Sequence, residues 1–203
     1  MFRITETVKH LILINVVFFF LVEGLRSASF SVPEMALVYP PSSDFSPYQL
    51  ITHMFIHADL NHLFFNMLIL FFIGPMVDDA IGSKKFTFVY LSAGIVGTII
   101  EIGFTYLVDA LNLANMSFFL DAYHLGASGA IFGIVAAFGI LFPEREIMLM
   151  IPPIPLKGKY LALLLLGMGL FTGYGKNIGH MAHLIGALVG GGIVYYWLKK
   201  REI

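Results

Sequence analysis

The chain has 203 residues, of which 58% are hydrophobic and 12% charged, about half the charged share of an average soluble domain. A net charge of −1 argues against nucleic acid as a partner, and the absence of cysteine excludes disulfides, thiol catalysis and cysteine-type zinc sites. Twenty Phe and twenty Gly fit a helical membrane protein, where Gly lets helices approach closely.

Taken in chain order, segments fit to cross a bilayer are predicted at residues 10–24, 49–74, 86–108, 123–142, 160–174 and 178–198. Between the first two, residues 26–47 hold Pro33, Pro40, Pro41 and Pro47 among apolar residues and read as an irregular or amphipathic loop on the membrane surface. Residues 147–156 are apolar but interrupted by Pro152, Pro153 and Pro155, so they lie at the interface or lengthen the fifth helix. The expectation is an all-α membrane protein, a bundle of six transmembrane helices in lipid, forming one domain over residues 1–203 with no soluble appendage.

Orientation follows from the basic residues. With the N-terminus cytoplasmic, Arg26 and Lys176 are outside and the other ten of the twelve Lys and Arg are inside, with both termini. The first segment can also be read as a cleaved signal peptide ending near Ser27-Ala28-Ser29, which leaves the remaining topology unchanged.

Polar side chains at membrane depth are costly and mark function by default. Ser128 lies in Gly126-Ala127-Ser128-Gly129 at the start of the fourth span, and His183 lies in Ala182-His183-Leu184-Ile185-Gly186 at the start of the sixth. Each is five residues past the outer start of its span, roughly 8 Å below the outer face at helical rise. His62 and Asn66, one turn apart on the second span, reach the same layer.

These groups suit nucleophilic acyl transfer. A serine hydroxyl needs a neighbouring base, which a neutral imidazole supplies. The His62–Asn66 pair and the Ser128 backbone N–H are aimed donors for a tetrahedral oxyanion. Gly126 and Gly129 allow a tight chain path and close approach of a substrate backbone. Taken alone, Ser128 would be a packing residue and His183 a satisfied core histidine; their conjunction at one depth favours function.

At these residues the chain resembles the rhomboid family of intramembrane serine proteases. The likeness rests on His53-x3-His57-x4-His62-x3-Asn66, on Gly126-Ala127-Ser128-Gly129 and on Ala182-His183-x2-Gly186, in that order along the whole chain. It implies a Ser128–His183 dyad without an acidic third member, an oxyanion site at His62 and Asn66, and substrate contact at Gly126 and Phe132. It also implies cleavage in or beside the helix of a single-pass membrane protein, no cofactor, no metal, and residence in a bacterial-type inner membrane. The cramped, glycine-lined site suggests a cut after a small residue such as Ala, near the outer boundary, with helix breakers further into the span. The sequence departs from the family pattern at Tyr48-Gln49, where Trp-Arg is common, and at Phe132, where a tyrosine is common. The acidic residue usual after the second helix appears as Asp78.

Other polar residues have plainer readings. On a continuous second helix His53 and His57 share a face and His62 lies well around from both, a poor metal triad. No His-Glu-x2-His occurs, which counts against a zinc protease. His53 and His57 are expected to bond backbone or water, His180 to line the water-filled mouth, and Asn15 to bond between helices. Glu101 is expected to snorkel or to bond a loop or helix terminus. Gly129-x3-Gly133 and Gly186-x3-Gly190 are packing signals that would join the fourth and sixth helices. Two rival functions remain: a catalytically silent rhomboid-like protein that binds transmembrane helices, and a small transporter, which the absence of an inverted-repeat pattern disfavours.

Overall fold

Lipid offers no water to backbone groups, so a long apolar segment must close its hydrogen bonds within a helix. The computed structural model describes residues 3–26, 35–38, 43–111, 123–148, 154–171 and 180–203. Its long helices are α1 (Glu6–Arg26), α3 (Leu60–Ile81), α4 (Ser83–Ala110) and α7 (His180–Lys200), and each holds an apolar stretch long enough to cross a bilayer. Shorter helices are α2 (Gln49–Thr52), α5 (Ser128–Leu141) and α6 (Gly158–Phe171). Two antiparallel ribbons join β1 (Leu37–Val38) to β2 (Tyr123–His124) and β3 (Glu146–Met148) to β4 (Pro155–Lys157). The chain is thus a mostly helical integral membrane protein.

At helical rise α5 and α6 each extend about 21 Å, short of the roughly 30 Å hydrocarbon core. For α5 this is tolerable because α3, α4, α6 and α7 all pack against it. Residues 130–135, with Ala137 and Phe138, are buried. Side chains such as Phe20, Phe65, Leu163 and Leu188 are exposed on the outer helices, where lipid supplies their contacts.

Several segments differ from the sequence-based expectation. The second span is not continuous from residue 49: α2 passes into a 3₁₀ turn at His53–Phe55, and α3 begins at Leu60. The turn ends at Ile56, whose backbone is extended, and Asp59 caps the new helix: its carboxylate accepts the His62 N–H at 2.8 Å. The fourth span begins as the extended pair Tyr123–His124, and its helix starts at Ser128 itself. In the loop expected on the membrane surface, Ala36, Leu37 and Val38 are buried against protein and β1 pairs with the strand leading to Ser128, while Ser43, Asp44 and Pro47 are exposed. The proline-interrupted stretch does not lengthen the fifth helix; β3 and β4 pair, and α6 starts only at Gly158. Residues 149–153, with Pro152 and Pro153, lie outside the described residues. Asn15 donates to the Leu11 carbonyl at 2.8 Å within its own helix, and its side chain also meets the Tyr90 hydroxyl of α4, the expected contact between helices.

Glycine sets the closest helix contact. A Cβ on Gly186 would lie 2.2 Å from the Gly129 carbonyl oxygen, and one on Gly190 would lie 2.5 Å from the Gly133 Cα. Only hydrogen at these positions lets α5 and α7 meet backbone to backbone, which gives van der Waals association in a medium that supplies no hydrophobic drive between helices. Gly186→Ala should therefore lower thermal stability in detergent by about 1–3 kcal/mol, the usual range for overpacking a tight contact. Gly192→Ala, whose Cβ meets nothing within 4 Å, should be neutral or stabilising by up to about 1 kcal/mol through helix propensity. Parallel thermal melts of the two variants check the contrast.

Candidate active site

The glycine contact brings the first turns of α5 and α7 together. Ser128 opens α5 and His183 lies in the first turn of α7. Ser128 Oγ is 2.7 Å from His183 Nε2. His183 Nδ1 is 3.1 Å from the Gly169 carbonyl oxygen on α6. A carbonyl only accepts, so Nδ1 carries the proton and the Nε2 lone pair faces the serine hydroxyl, which donates to it. Phe132, one turn into α5, stacks on the imidazole with centroids 4.3 Å apart and planes 13° from parallel. Gly169 makes room for it, since a Cβ there would lie 1.8 Å from Phe132 Cζ. Phe132 is itself buried, between the His183 ring and Gly169.

The loop before α5 meets the start of α3. Gly126 has φ +112°, a conformation open to glycine, and its missing Cβ would lie 2.8 Å from His62 Nε2 and 3.8 Å from Asn66 Nδ2. His62 and Asn66 thus face the chain two residues before Ser128. The Ala58 N–H approaches His62 Nδ1 at 3.5 Å, which leaves Nε2 as the protonated nitrogen on the Gly126 side. Asn66 is buried, and its Nδ2 has no protein acceptor among the described residues. A buried amide without a partner is costly unless something else accepts from it. As the first residue of its helix, Ser128 also has a backbone N–H with no intrahelical partner, at the end where the helix dipole favours negative charge.

The histidines upstream are arranged differently from the expectation. Because the helix breaks before Leu60, the His57 ring lies against His62, centroids 5.0 Å apart and nearly edge-on, rather than around the helix from it. Burial first, and then the neighbouring His62, hold His57 well below the usual imidazole range at about 3, so it is neutral at physiological pH. His53 is buried; its Nδ1–H donates to the Gln49 carbonyl at 2.7 Å, and its Nε2 accepts from Thr98 on α4 at 3.0 Å. The His53 carbonyl accepts the Gly126 N–H at 2.8 Å. Glu101 bonds a helix terminus: its Oε1 accepts the Ala182 N–H at 3.3 Å. The side chain of His180 lies outside the described residues.

Some participants were not found by sequence reasoning. For Asp59 the sequence does hold a signal, an acidic residue directly before an apolar run, which is the usual N-cap pattern. For Gly169 it holds none, since that residue contributes a backbone carbonyl that any residue type would carry. Its identity matters only because Phe132 occupies the space of its side chain.

Comparisons with known proteins identify the family. Residues 44–200 match the model of the Rhomboid domain. The chain is 33% identical over 157 residues to the rhomboid relative YdcA of Bacillus subtilis, covering 76% of this chain and 69% of that protein. It is 30% identical over 161 residues to the mitochondrial Rhomboid protein 1 of Saccharomyces cerevisiae, covering 78% of this chain and 43% of that one. To the rhomboid protease GluP of Bacillus subtilis it is 31% identical over 140 residues, covering 68% of this chain and 24% of that protein. The chain belongs to the rhomboid family.

Gly126→Ala tests the loop geometry. The new methyl would strain the backbone and press on His62, 2.7 Å from Cε1. The variant should fold, yet react with a fluorophosphonate serine probe at least about 10-fold more slowly, a rate loss that a displacement of under 1 Å in such a site readily causes. Labelling at the wild-type rate would mean that the Gly126 conformation is not required.

Proposed function

We propose that the chain is an intramembrane serine endopeptidase, with Ser128 as nucleophile and His183 as general base. The reading is carried by the 2.7 Å contact between Ser128 Oγ and His183 Nε2, with the other ring nitrogen tied to a carbonyl. It is supported by membership of a family whose named relatives include a rhomboid protease.

In the first half of the reaction the Ser128 oxygen attacks the substrate carbonyl carbon while the hydroxyl proton passes to His183 Nε2. The oxyanion accepts from the Ser128 N–H, from Asn66 Nδ2 and from His62 Nε2–H. The imidazolium keeps its bond to the Gly169 carbonyl and lies on the Phe132 face, which favours a cation by its quadrupole. Collapse of the intermediate breaks the peptide C–N bond, and His183 returns its proton to the leaving amine. Water then attacks the acyl-serine with the same base, releasing the second product and restoring the Ser128 hydroxyl.

The substrate we infer is a single-pass membrane protein cut near the outer membrane boundary. A carbonyl inside an intact helix is hydrogen-bonded and shielded, so the cut bond lies where helix opening is least costly, beside Gly or Pro. The narrow approach over Gly126 favours a small residue such as Ala next to that bond. The positions of α5 and α6 in the bundle, with the four longer helices, support six passes through the membrane. The bias of Lys and Arg supports cytoplasmic termini, and the relatives in Bacillus subtilis support a bacterial-type cell membrane. We read residues 1–203 as a single protease domain with no cofactor and no metal.

Ser128→Ala and His183→Ala should each abolish cleavage of a model transmembrane substrate in proteoliposomes while leaving the thermal melt near that of the wild type, because the two groups act jointly. Retained cleavage by either variant would remove that residue from the mechanism. A wild-type chain that binds transmembrane helices, cuts none and resists the serine probe would instead be a silent member of the family.

Asn66→Ala should lower kcat by on the order of 10²-fold, less where the remaining donors compensate, with KM nearly unchanged. His62→Ala should behave similarly. If only KM rises, the two residues hold substrate rather than the oxyanion.

A further inference from the structure

Among its described side chains, helix α4 carries three buried polar residues, Thr98, Glu101 and Thr105, spaced so that they share one face. The reaction described above uses none of them, and buried polar groups in a membrane helix are expensive to keep. Two of them reach the two halves of the reactive pair. Thr98 Oγ1 donates to the ring of His53, whose carbonyl holds the Gly126 N–H just before the nucleophile. One turn further on, Glu101 Oε1 accepts the N–H of Ala182, the residue directly before the base.

The Ala182 N–H belongs to the first turn of α7, where backbone donors have no acceptor within the helix. The same residue is wedged between two glycines: its carbonyl oxygen would be 3.6 Å from a Cβ on Gly97 of α4 and 3.5 Å from one on Gly129 of α5. Glycine surfaces permit close approach but offer no side chain to stop α7 turning about its axis or sliding along the groove. A hydrogen bond to one N–H at the end of the helix does both, because it is directional. A rotation of α7 would carry the imidazole away from the serine, since His183 projects from the adjacent position.

We propose that Glu101 is a positioning residue that fixes the first turn of α7 and so holds His183 Nε2 at reacting distance from Ser128 Oγ. The inference rests on the reading of Ser128 and His183 as the reactive pair. What matters is a carboxylate oxygen at the right place, so a side-chain amide of the same length should serve.

The test uses the full chain in detergent as wild type, Glu101→Ala and Glu101→Gln. For each, the maximal rate and half-saturating concentration of fluorophosphonate labelling at Ser128 are measured beside the thermal melt. Glu101→Ala should lower the maximal rate at least about 10-fold with half-saturation nearly unchanged, as expected when reacting groups are misplaced but binding is not. Glu101→Gln should restore most of the rate, because its amide oxygen accepts the same N–H. Wild-type labelling by Glu101→Ala would overturn the proposal, as would Glu101→Gln being as slow as Glu101→Ala. So would a loss of rate in Glu101→Ala that only matches its unfolded fraction. A wild-type chain that fails to label at Ser128 would instead overturn the protease reading beneath it.

Discussion

The contact between α5 and α7 is the constraint on which the rest of the molecule depends. Two pairs of glycines, Gly129 with Gly186 and Gly133 with Gly190, bring the helix backbones closer than any Cβ would permit. Ser128 lies one residue before Gly129, and His183 lies three before Gly186. The separation of Ser128 and His183 therefore follows from how closely the helices pack. In lipid this packing is a matter of van der Waals fit and a few hydrogen bonds. Such a site is stiff against separation of the helices and depends on other contacts to resist their rotation.

Besides Ser128, the described contacts of the His183 ring include a backbone carbonyl, which fixes the tautomer, and a phenyl face, which fixes the ring plane. Both are neutral, so the resting site carries no buried charge from them, and the imidazolium of the proposed reaction would be met by a dipole and a quadrupole. A full carboxylate at that depth would carry a desolvation penalty of several kcal/mol. Phe132 cannot donate a hydroxyl bond as tyrosine would, and its contribution is confined to shape and to the charge distribution of the ring.

The break before α3 is equally consequential. Had residues 49–74 formed one helix, His57 and His62 would have pointed apart. The helix restarts at the Asp59 cap with His57 turned onto His62, while His53 holds the loop that carries Gly126. The short pairing of β1 with β2 continues this outer layer: the strand that precedes Ser128 is tied to buried residues 37–38. Extended chain at this level is tolerable because it is packed within protein rather than exposed to lipid.

The apolar runs, the polar residues within them and the glycine spacings were legible in the sequence because each depends on local periodicity or on composition. Ser128, His183, His62 and Asn66 stood out because a polar group in an apolar helix has few reasons to be there. Helix ends were less legible: the N-cap at Asp59 and the extended start at Tyr123 shift the predicted boundaries by several residues, since a local signal of one side chain competes with a long apolar run. The carbonyl of Gly169, the seat of Phe132 against it and the bond from Glu101 to Ala182 could be decided only by the tertiary structure. Each joins residues on different helices through backbone atoms, and backbone atoms leave no mark in a sequence.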